Sequence, residues 1–464
     1  MSYTLTDLFC GGGGSSSGAG LVEGVAVRMA ANHWPLAVET HNLNHPGADH
    51  DCADLSQVDP RRYPQTDLLW ASPSCTKHSV ARGIAADPED EAAERSRATM
   101  WDVQRFTEQH RYRFGFVENV VEVRKWVGFR AWKISLEDLG YCLHEVFLNA
   151  AFAGQAGPAA DQWRDRWFCL FHPRGTRCPD IERWTSPRAV CSDCGPVDAR
   201  QTWKNGNTAG KYGRQYIYTC PRCRAEVKPP VGAAANIIDW SIPAPRIGDR
   251  ARPLAEKTMA RIRSGLEKYG AALVPVEGRD GKQPFPVDRP MRTCTGRNET
   301  GLLVPAGGTW NDTAYLPDGP MRTVTTRETT AVVTPPFIAE LRGGGSKHRP
   351  TSEPLATVCA SGNHHGLVIP GLVVPYYRTG VAKPASEPLP TVTTVDGAAL
   401  VERAPSVEDC GFRMLQAEEY AAAMTFPSTY RWQGSKRDRV RMAGNAVPCN
   451  MARDLVACGV ESIS

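Results

Sequence analysis

The chain has 464 residues, of which 41% are hydrophobic and 22% are charged, a composition typical of a folded globular protein and not of a disordered or fibrous one. No apolar run approaches the roughly 20 residues that a membrane helix needs, and the first residues lack the pattern of a secretory signal, so we expect a cytoplasmic protein without membrane contact. The formal net charge of +4 neither requires nor excludes nucleic acid, and the 15 scattered cysteines favour metal-binding or catalytic thiols over a disulfide framework.

Short apolar runs alternate with helix-like stretches from residue 1 to about residue 175. This alternation predicts an α/β fold in which helices cover a mostly parallel sheet. The predicted buried strands are residues 3–9, 36–39, 68–71, 114–117, 143–148 and 167–171. Ligands bind at the carboxyl ends of parallel strands, so the residues directly after each run are candidate site residues.

A glycine run, Gly11 to Gly14, follows the first predicted strand. Glycines there let the backbone turn sharply and approach a ligand closely, although GGGGSSSG alone also resembles a flexible linker. Two acids favour the ligand-binding interpretation over the linker: Glu39 ends the next predicted strand, and Asp54 lies in a following turn. Nucleoside-binding folds commonly hold a ribose hydroxyl with such an acid. The set favours a nucleoside-containing cofactor, while Asp54 alone is equally consistent with a surface carboxylate.

Two further predicted strands end in reactive side chains. Cys75 lies in a polar loop with Lys77 and His78 close by, and nearby cations favour the nucleophilic thiolate. Glu118 ends another strand, where a carboxylate can donate a proton or bind a polar ring edge. The simpler alternatives are an inert buried cysteine and an ordinary ion-pair partner.

The segment Gln162-Trp163-Arg164-Asp165-Arg166 is predicted to be a strand. Its period of two places Gln162, Arg164 and Arg166 on one face. The two guanidinium groups can steady an anion or a base carbonyl, or they can brace the sheet.

Together these motifs resemble the DNA cytosine-5 methyltransferase family. The matching motifs, in family order, are DLFCGGGG, SPSC, ENV, QWRDR, RMLQAEEYAAAMTFP and GNAVP, within residues 3–170 and 411–458. An ordered set of this size is far more specific than any one motif. The resemblance implies a Rossmann-like class I S-adenosylmethionine-dependent methyltransferase domain, with the variable target-recognition region between the two matching parts.

The resemblance also implies the reaction and its residues. Cys75 would add to carbon 6 of a cytosine flipped out of double-stranded DNA, and Glu118 would bind ring nitrogen 3, with Arg164 and Arg166 holding the base and the catalytic loop. The residues implied around S-adenosylmethionine are Phe9, Gly11, Gly13, Glu39, Asp54, Asn445 and Val447. We expect a monomer on DNA that serves restriction-modification or phage DNA protection, in a bacterial or phage-infected host cell.

One motif departs from the family. The family usually has Pro-Cys-Gln, whereas this chain has Ser74-Cys75-Thr76, which loosens the expected placement of the thiol. Two alternatives therefore stay open: a related enzyme that methylates RNA cytosine, and an inactive methyltransferase homologue that binds DNA.

Four cysteines form two knuckles, Cys191-x-x-Cys194 and Cys220-x-x-Cys223, separated by 25 residues. This spacing predicts a structural zinc ribbon, because four sulfur ligands leave no open coordination position. The stretch from Arg200 to Lys228 mixes seven basic residues with four aromatic ones, so it suits either a DNA-contacting surface or a small aromatic core.

Residues 253–269 have helical spacing and are followed by an internal repeat. The four copies begin at Pro290, Pro320, Pro354 and Pro388, and each continues into β-prone runs, which predicts a repeated strand pair. Helical spacing returns from Phe412 to Met424 and again after Pro448. We therefore predict a first catalytic part (1–175), a zinc-ribbon-like insert (176–235), a helical linker with a β-repeat target-recognition region (236–404) and a C-terminal segment that completes the catalytic domain (405–464).

Overall fold

The structure, a computed structural model, describes residues 2–73, 91–237, 247–254 and 410–464, ten strands between residues 272 and 401, and the single residues 239, 241, 242, 256, 259 and 408. The chain forms two compact units. The first comprises Met1–Ile237, Asp288–Asn298 and Gln416–Ser464, and the second comprises Ile238–Val287 and Glu299–Leu415.

A seven-stranded sheet lies at the centre of the first unit. Its strands are β1 (Tyr3–Leu8), β2 (Val25–Asn32), β3 (Asp49–Cys52), β4 (Leu68–Ala71), β5 (Phe114–Asn119), β6 (Tyr141–Asn149) and β8 (Asp165–Pro173). The spatial order is β3-β2-β1-β4-β5-β8-β6, and the strands from β3 to β5 are parallel. Only β8 runs against its neighbours. The predicted α/β class with a mostly parallel sheet is confirmed.

Helices cover both faces of this sheet. They are α1 (Gly14–Ala19), α2 (Pro35–Asn44), α3 (Glu91–His110), α4 (Phe129–Asp138), α5 (Ile181–Trp184), α6 (Ala417–Ala423), α7 (Lys436–Asn445) and α8 (Cys449–Ile463). Side chains of β4 alternate between two apolar clusters: Leu69 packs in the cluster that contains α3 and α4, and Trp70 packs in the cluster that contains α8. Burial on both faces explains why β4 is apolar throughout.

The cysteine-rich insert belongs to the first unit. Its strands are β9 (Arg188–Cys191), β10 (Gly195–Asp198), β11 (Arg200–Trp203), β12 (Tyr216–Thr219) and β13 (Glu226–Val227), which form the sheets β9-β10 and β11-β12-β13. Tyr216 and Tyr218 are fully buried. The aromatic residues of the basic stretch therefore serve a core, whereas Arg214, Arg222 and Arg224 are exposed.

The described part of the second unit consists mainly of strands. They are β14 (Ala272–Pro275), β15 (Phe285–Pro286), β17 (Thr300–Pro305), β18 (Phe337–Glu340), β19 (Lys347–Pro350), β20 (His365–Val368), β21 (Leu372–Pro375), β22 (Lys383–Pro384), β23 (Ala398–Val401) and β24 (Cys410–Met414). They form the sheets β15-β14-β17-β24, β19-β18-β20 and β22-β21-β23. The predicted β-rich character is confirmed, while residues 320–326, 354–357 and 388–391 of the repeat lie outside the described residues.

Two local predictions were wrong. Residues 36–39 lie in helix α2 and not in a strand, because Pro35 opens a helix at that point. The strand that follows the glycine run is instead β2. Phe412 lies in strand β24, and helix α6 begins only after Gln416, whose side chain forms a capping box with Glu419. Of the predicted linker helix over residues 253–269, the structure describes Pro253 and Leu254, which are not helical, and Glu256 and Met259, which are.

Candidate active site

The glycine loop connects β1 to α1 with an unusual backbone. Phe9, Gly11 and Gly13 have φ values of +60°, +53° and +87°, a region that favours glycine. A Cβ atom on Gly11 would find no heavy atom within 4 Å, so the loop is open there, whereas a Cβ on Gly13 would collide with the hydroxyl of Tyr430. The open side of Gly11 provides the close backbone approach that a nucleoside cofactor requires.

A buried carboxyl group anchors this loop to the sheet. Asp7 Oδ2 accepts hydrogen bonds of 2.6 Å from the hydroxyl groups of both Ser15 and Ser16. Burial raises the pKa of Asp7 to about 6. The Ser16 hydroxyl also lies 2.9 Å from His41 Nε2, which ties the first turn of α1 to helix α2.

Glu39 does not end a strand, as the sequence had predicted, and its cofactor-binding role stays untested. It is exposed on helix α2, and the carboxyl end of β2 instead carries Asn32, His33 and Trp34. Leu8 and Ala31 are register partners, so this strand end lies beside the glycine loop. The half-buried Trp34 has the Arg441 guanidinium 4.5 Å from its ring centroid. The largely apolar run from Val25 to Ala31, directly before Asn32, is the signal that could have found this strand end.

Asp54 lies at the turn after β3. Its carboxylate accepts hydrogen bonds from the Ser56 backbone N–H at 3.1 Å and from the Ser56 hydroxyl at 2.9 Å. It caps a short 3₁₀ turn, Leu55–Gln57, and is exposed. This local role explains the residue type, and a cofactor-binding role stays a prediction.

Glu118 and Arg166 form an ion pair at the carboxyl end of β5. Arg166 Nε lies 2.8 Å from Glu118 Oε1, and the two side chains are only 11% and 10% exposed. The neighbouring Asn119 Nδ2 donates a 3.3 Å hydrogen bond to the carbonyl of Pro73. Pro73 precedes the segment that contains Cys75, which itself lies outside the described residues. The described chain therefore enters the Cys75 segment beside Glu118.

The predicted strand around Arg164 is interrupted at that residue. Strand β7 (Gln162–Trp163) pairs with β16 (Met291–Arg292), and β8 begins at Asp165. Gln162 Nε2 donates a 2.9 Å hydrogen bond to the Ala423 carbonyl, and Arg164 donates one of 2.9 Å to the Ala446 carbonyl. Arg164 is 1% exposed, so the structure places it as a brace between β8 and the C-terminal segment.

That C-terminal segment reaches the glycine loop. Val447 is buried, and its carbonyl oxygen would collide with a Cβ atom on Gly14. Asn445 is the last residue of α7 and is exposed. The structure therefore brings Val447 to the loop, whereas the cofactor-binding role of Asn445 stays a prediction.

The four knuckle cysteines converge in the insert. The Sγ atoms of Cys191, Cys194, Cys220 and Cys223 lie within 4.8 Å of one another, and those of Cys191 and Cys223 are 3.5 Å apart. Zinc–sulfur bonds of about 2.3 Å in tetrahedral geometry require such spacing. The donor set fits a zinc ion.

The insert also contacts residues close to the Glu118–Arg166 ion pair. Lys211 Nζ lies 2.6 Å from Glu122 Oε1, four residues after Glu118. The Tyr212 backbone N–H donates a 3.0 Å hydrogen bond to Asp165 Oδ1, and its ring stacks on Trp163 at 5.8 Å between centroids. Sequence reasoning did not find these contacts, because Lys211 is 89 positions from Glu122 and Tyr212 is 47 positions from Asp165.

An open glycine loop follows β1, and polar residues follow β4 and β5 at the carboxyl ends of the strands. Together with the sheet order, these features define a Rossmann-like α/β fold of the class I methyltransferase type. Residues 3–188 and 371–458 match the family model of C-5 cytosine-specific DNA methylases. The matched ranges cover more than half of the chain, and the chain belongs to this family. The family implies S-adenosylmethionine as cofactor and DNA as substrate.

Solved structures of methyltransferases are similar over the length of the chain. One is a proposed DNA modification methyltransferase encoded within a prophage (E. coli), with 14% identity, 100% of this chain and 99% of that chain covered, and a TM-score of 0.49. The S. pombe Dnmt2 methyltransferase has 14% identity, 100% coverage of both chains and a TM-score of 0.49. The Entamoeba histolytica methyltransferase EhMeth has 9% identity, 100% and 99% coverage, and a TM-score of 0.48.

No curated protein sequence matches this chain significantly. Among the described residues, no helix combines the length and apolar character needed to cross a membrane.

Proposed function

We propose that this protein methylates carbon 5 of a cytosine flipped out of double-stranded DNA, through a covalent adduct with Cys75. The observation that carries the proposal is the buried Glu118–Arg166 ion pair, at the sheet edge where Asn119 holds the start of the Cys75 segment. A base that leaves the duplex can reach such a recessed edge, whereas a stacked base cannot.

The proposed chemistry divides between the two strand ends. The Cys75 thiolate attacks carbon 6, and the ring electrons make carbon 5 nucleophilic. Arg166 holds Glu118 Oε1, so Oε2 would carry the proton that Glu118 donates to ring nitrogen 3 as carbon 6 is attacked and takes back when the adduct breaks down. When bound, S-adenosylmethionine supplies an electrophilic methyl group. Loss of the carbon-5 proton to solvent then restores the ring double bond and releases the Cys75 thiolate.

Other residues would hold the cofactor and the catalytic loop. Phe9, Gly11 and Gly13 shape the open loop, and Val447 closes it from the C-terminal segment. We keep Asp54 and Asn445 as proposed cofactor residues and replace Glu39 with Trp34, whose position at the end of β2 suits contact with a ribose or base. Arg164 would act by holding β8 against the C-terminal segment.

Nucleoside mass spectrometry tests the reaction. Unmethylated duplex DNA and tRNA are each incubated with S-adenosylmethionine and either the parent protein, Cys75→Ala or Glu118→Gln. We expect 5-methylcytosine only in duplex DNA and only with the parent protein. Methylation of tRNA alone would replace the DNA substrate by RNA, and DNA binding with no product in any sample would indicate an inactive homologue.

The proposed biological role is restriction-modification or the protection of phage DNA, with the protein acting as a monomer on DNA. In this proposal the β-rich region within residues 236–404 recognises the target, and residues 1–175 and 405–464 form the catalytic domain. Bisulfite sequencing of the product DNA gives the target sequence. Methylation in one sequence context, which changes when the β-rich region is replaced by that of another family member, would support this division into recognition and catalytic parts. Methylation of cytosines in every context would contradict it.

We also propose that Cys191, Cys194, Cys220 and Cys223 bind a structural zinc ion within residues 176–235. The four sulfur atoms converge, and all four coordination positions are filled, which leaves none for catalysis. Elemental analysis should find zinc that is lost on Cys194→Ser substitution. Retention of the same zinc content in that variant would reject the site.

A further inference from the structure

Two histidines and a cysteine lie together at the end of β8 that is opposite to Arg166. The side-chain ligand atoms of His144, His172 and Cys178 all lie within 4.8 Å of one another. His172 lies six positions after Arg166 in β8, which is roughly 20 Å along a strand. The cluster is therefore distinct from both the candidate active site and the four-cysteine site.

Hydrogen bonds determine which nitrogen of His172 is a free electron-pair donor. His172 Nδ1 lies 3.2 Å from the Pro173 carbonyl oxygen and 2.8 Å from Thr176 Oγ1. The Thr176 hydroxyl uses its single proton to donate to the same carbonyl at 2.7 Å. With the Thr176 proton used in this way, both neighbours of Nδ1 accept, and we therefore assign the ring proton to Nδ1 and the lone pair to Nε2. Metal-binding histidines are commonly oriented by this kind of bond to a backbone carbonyl.

The lone pair of His172 points into the cluster. His172 Nε2 lies 3.0 Å from His144 Nε2, so His144 donates a hydrogen bond to it when no ion is present. Burial lowers the pKa of both imidazoles, and neutral imidazole is the form that binds metals. If the His144 proton moves to Nδ1, two imidazole lone pairs and one thiolate face the same point.

The remaining donors lie on the accessible side of the cluster. Cys178 is exposed on the loop after β8, which gives an ion a path to the site. Cys142 is the register partner of His172 and lies two residues before His144, so all three share one face of the sheet. The Cys142 sulfur is not among the converging ligand atoms, so water would fill the fourth position.

We propose that His144, His172 and Cys178 bind a second zinc ion, with water as the fourth ligand. Mixed nitrogen and sulfur donors in tetrahedral geometry select zinc among common divalent ions. Binding displaces the proton of the Cys178 thiol and shifts that of His144 from Nε2 to Nδ1. The hydrogen bond between the two histidines satisfies them without metal, so the fold does not depend on this ion.

The test compares zinc content between variants of the full-length protein. After saturation with Zn²⁺ and gel filtration, Cys178→Ser and His144→Asn should each contain one zinc ion fewer per chain than the parent. Cys52→Ser is the matched control, because Cys52 is also exposed and lies outside the cluster. The test measures the difference in zinc content between variant and parent, so the expected loss of one ion does not depend on whether the four-cysteine site is filled.

Cobalt provides a second readout. Loading with Co²⁺ should produce thiolate-to-cobalt absorption that falls in Cys178→Ser but not in Cys52→Ser, and melting temperatures should show that both variants fold. Equal zinc content and equal cobalt absorption in the parent and Cys178→Ser would overturn the proposal.

Discussion

The backbone N–H of Tyr212 donates a 3.0 Å hydrogen bond to Asp165 Oδ1, which joins the cysteine-rich insert to the residue between Arg164 and Arg166. Burial raises the pKa of Asp165. A second link, Lys211 to Glu122, reaches the chain just after Glu118. The insert thus contacts the chain beside both members of the Glu118–Arg166 pair, and we expect it to position them without direct contact with DNA.

We expect Lys211→Met to lower kcat while KM for S-adenosylmethionine stays unchanged. A half-buried ion pair contributes about 1 kcal/mol, which corresponds to roughly a fivefold loss of rate if it acts on the transition state. The exposed Lys228 of the same insert provides the control, because Lys228→Met removes the same charge away from Glu122. Equal losses of DNA affinity in both variants, with kcat intact, would instead assign Lys211 to DNA attraction.

Substitutions of the ion pair should separate charge from geometry. Glu118→Gln removes the acid-base group and should lower kcat by about 10²- to 10⁴-fold. Arg166→Lys keeps the positive charge but loses the planar fork, so we expect an activity between those of the parent and Arg166→Ala. Single-turnover methylation rates provide the measurement, and a fully active Arg166→Ala would show that the pair is only structural.

The central sheet and most of the site could be predicted, because both follow from local patterns. Buried parallel strands are apolar throughout, and functional residues such as Glu118 come directly after them. The same rule failed at residues 36–39, where four apolar or acidic residues after Pro35 suit a helix turn as well as a strand. That error placed Glu39 at a strand end, which Asn32, His33 and Trp34 in fact form.

Long-range contacts could not be predicted from one sequence. The bond of Arg164 to the Ala446 carbonyl and that of Tyr212 to Asp165 join residues far apart in the chain. The aromatic residues of the insert were equally ambiguous, since tyrosine suits a nucleic-acid surface and a small core. Because Tyr216 and Tyr218 are buried, these two tyrosines belong to the core of the insert.

Gly18→Ala should destabilise the protein, although alanine normally favours a helix by about 0.5–1 kcal/mol over glycine. A Cβ on Gly18 would collide with the Cys449 carbonyl and lie 2.6 Å from Ala452 Cβ, so α1 and α8 would have to separate. Overpacking of this kind costs about 1–3 kcal/mol, which urea unfolding can measure. Gly47→Ala, where no atom lies within 4 Å, should leave the free energy of unfolding nearly unchanged.

The histidines around the glycine loop predict acid sensitivity. Burial lowers the pKa of His45 from 6.5 to about 4. Between these values the unfolded chain binds more protons than the folded protein, so the free energy of unfolding rises with pH across this window. Asp7 has the opposite effect between about pH 4 and 6, since its folded pKa is raised.

His45→Gln isolates the histidine contribution, because Asp7 is common to both proteins and glutamine can still bond to the Ser17 hydroxyl, 3.2 Å from His45 Nε2. Between pH 4.5 and 6.5, urea unfolding of the variant should show a pH slope that is shallower by up to about 1.4 kcal/mol per pH unit. The exposed His33 serves as the control, and His33→Gln should keep the parent slope. If the free energy of unfolding of His45→Gln and of the parent depends on pH in parallel, His45 is protonated in the folded protein as readily as in the unfolded chain. The acid sensitivity then arises from other groups such as His41, because burial lowers the pKa of His41 as well.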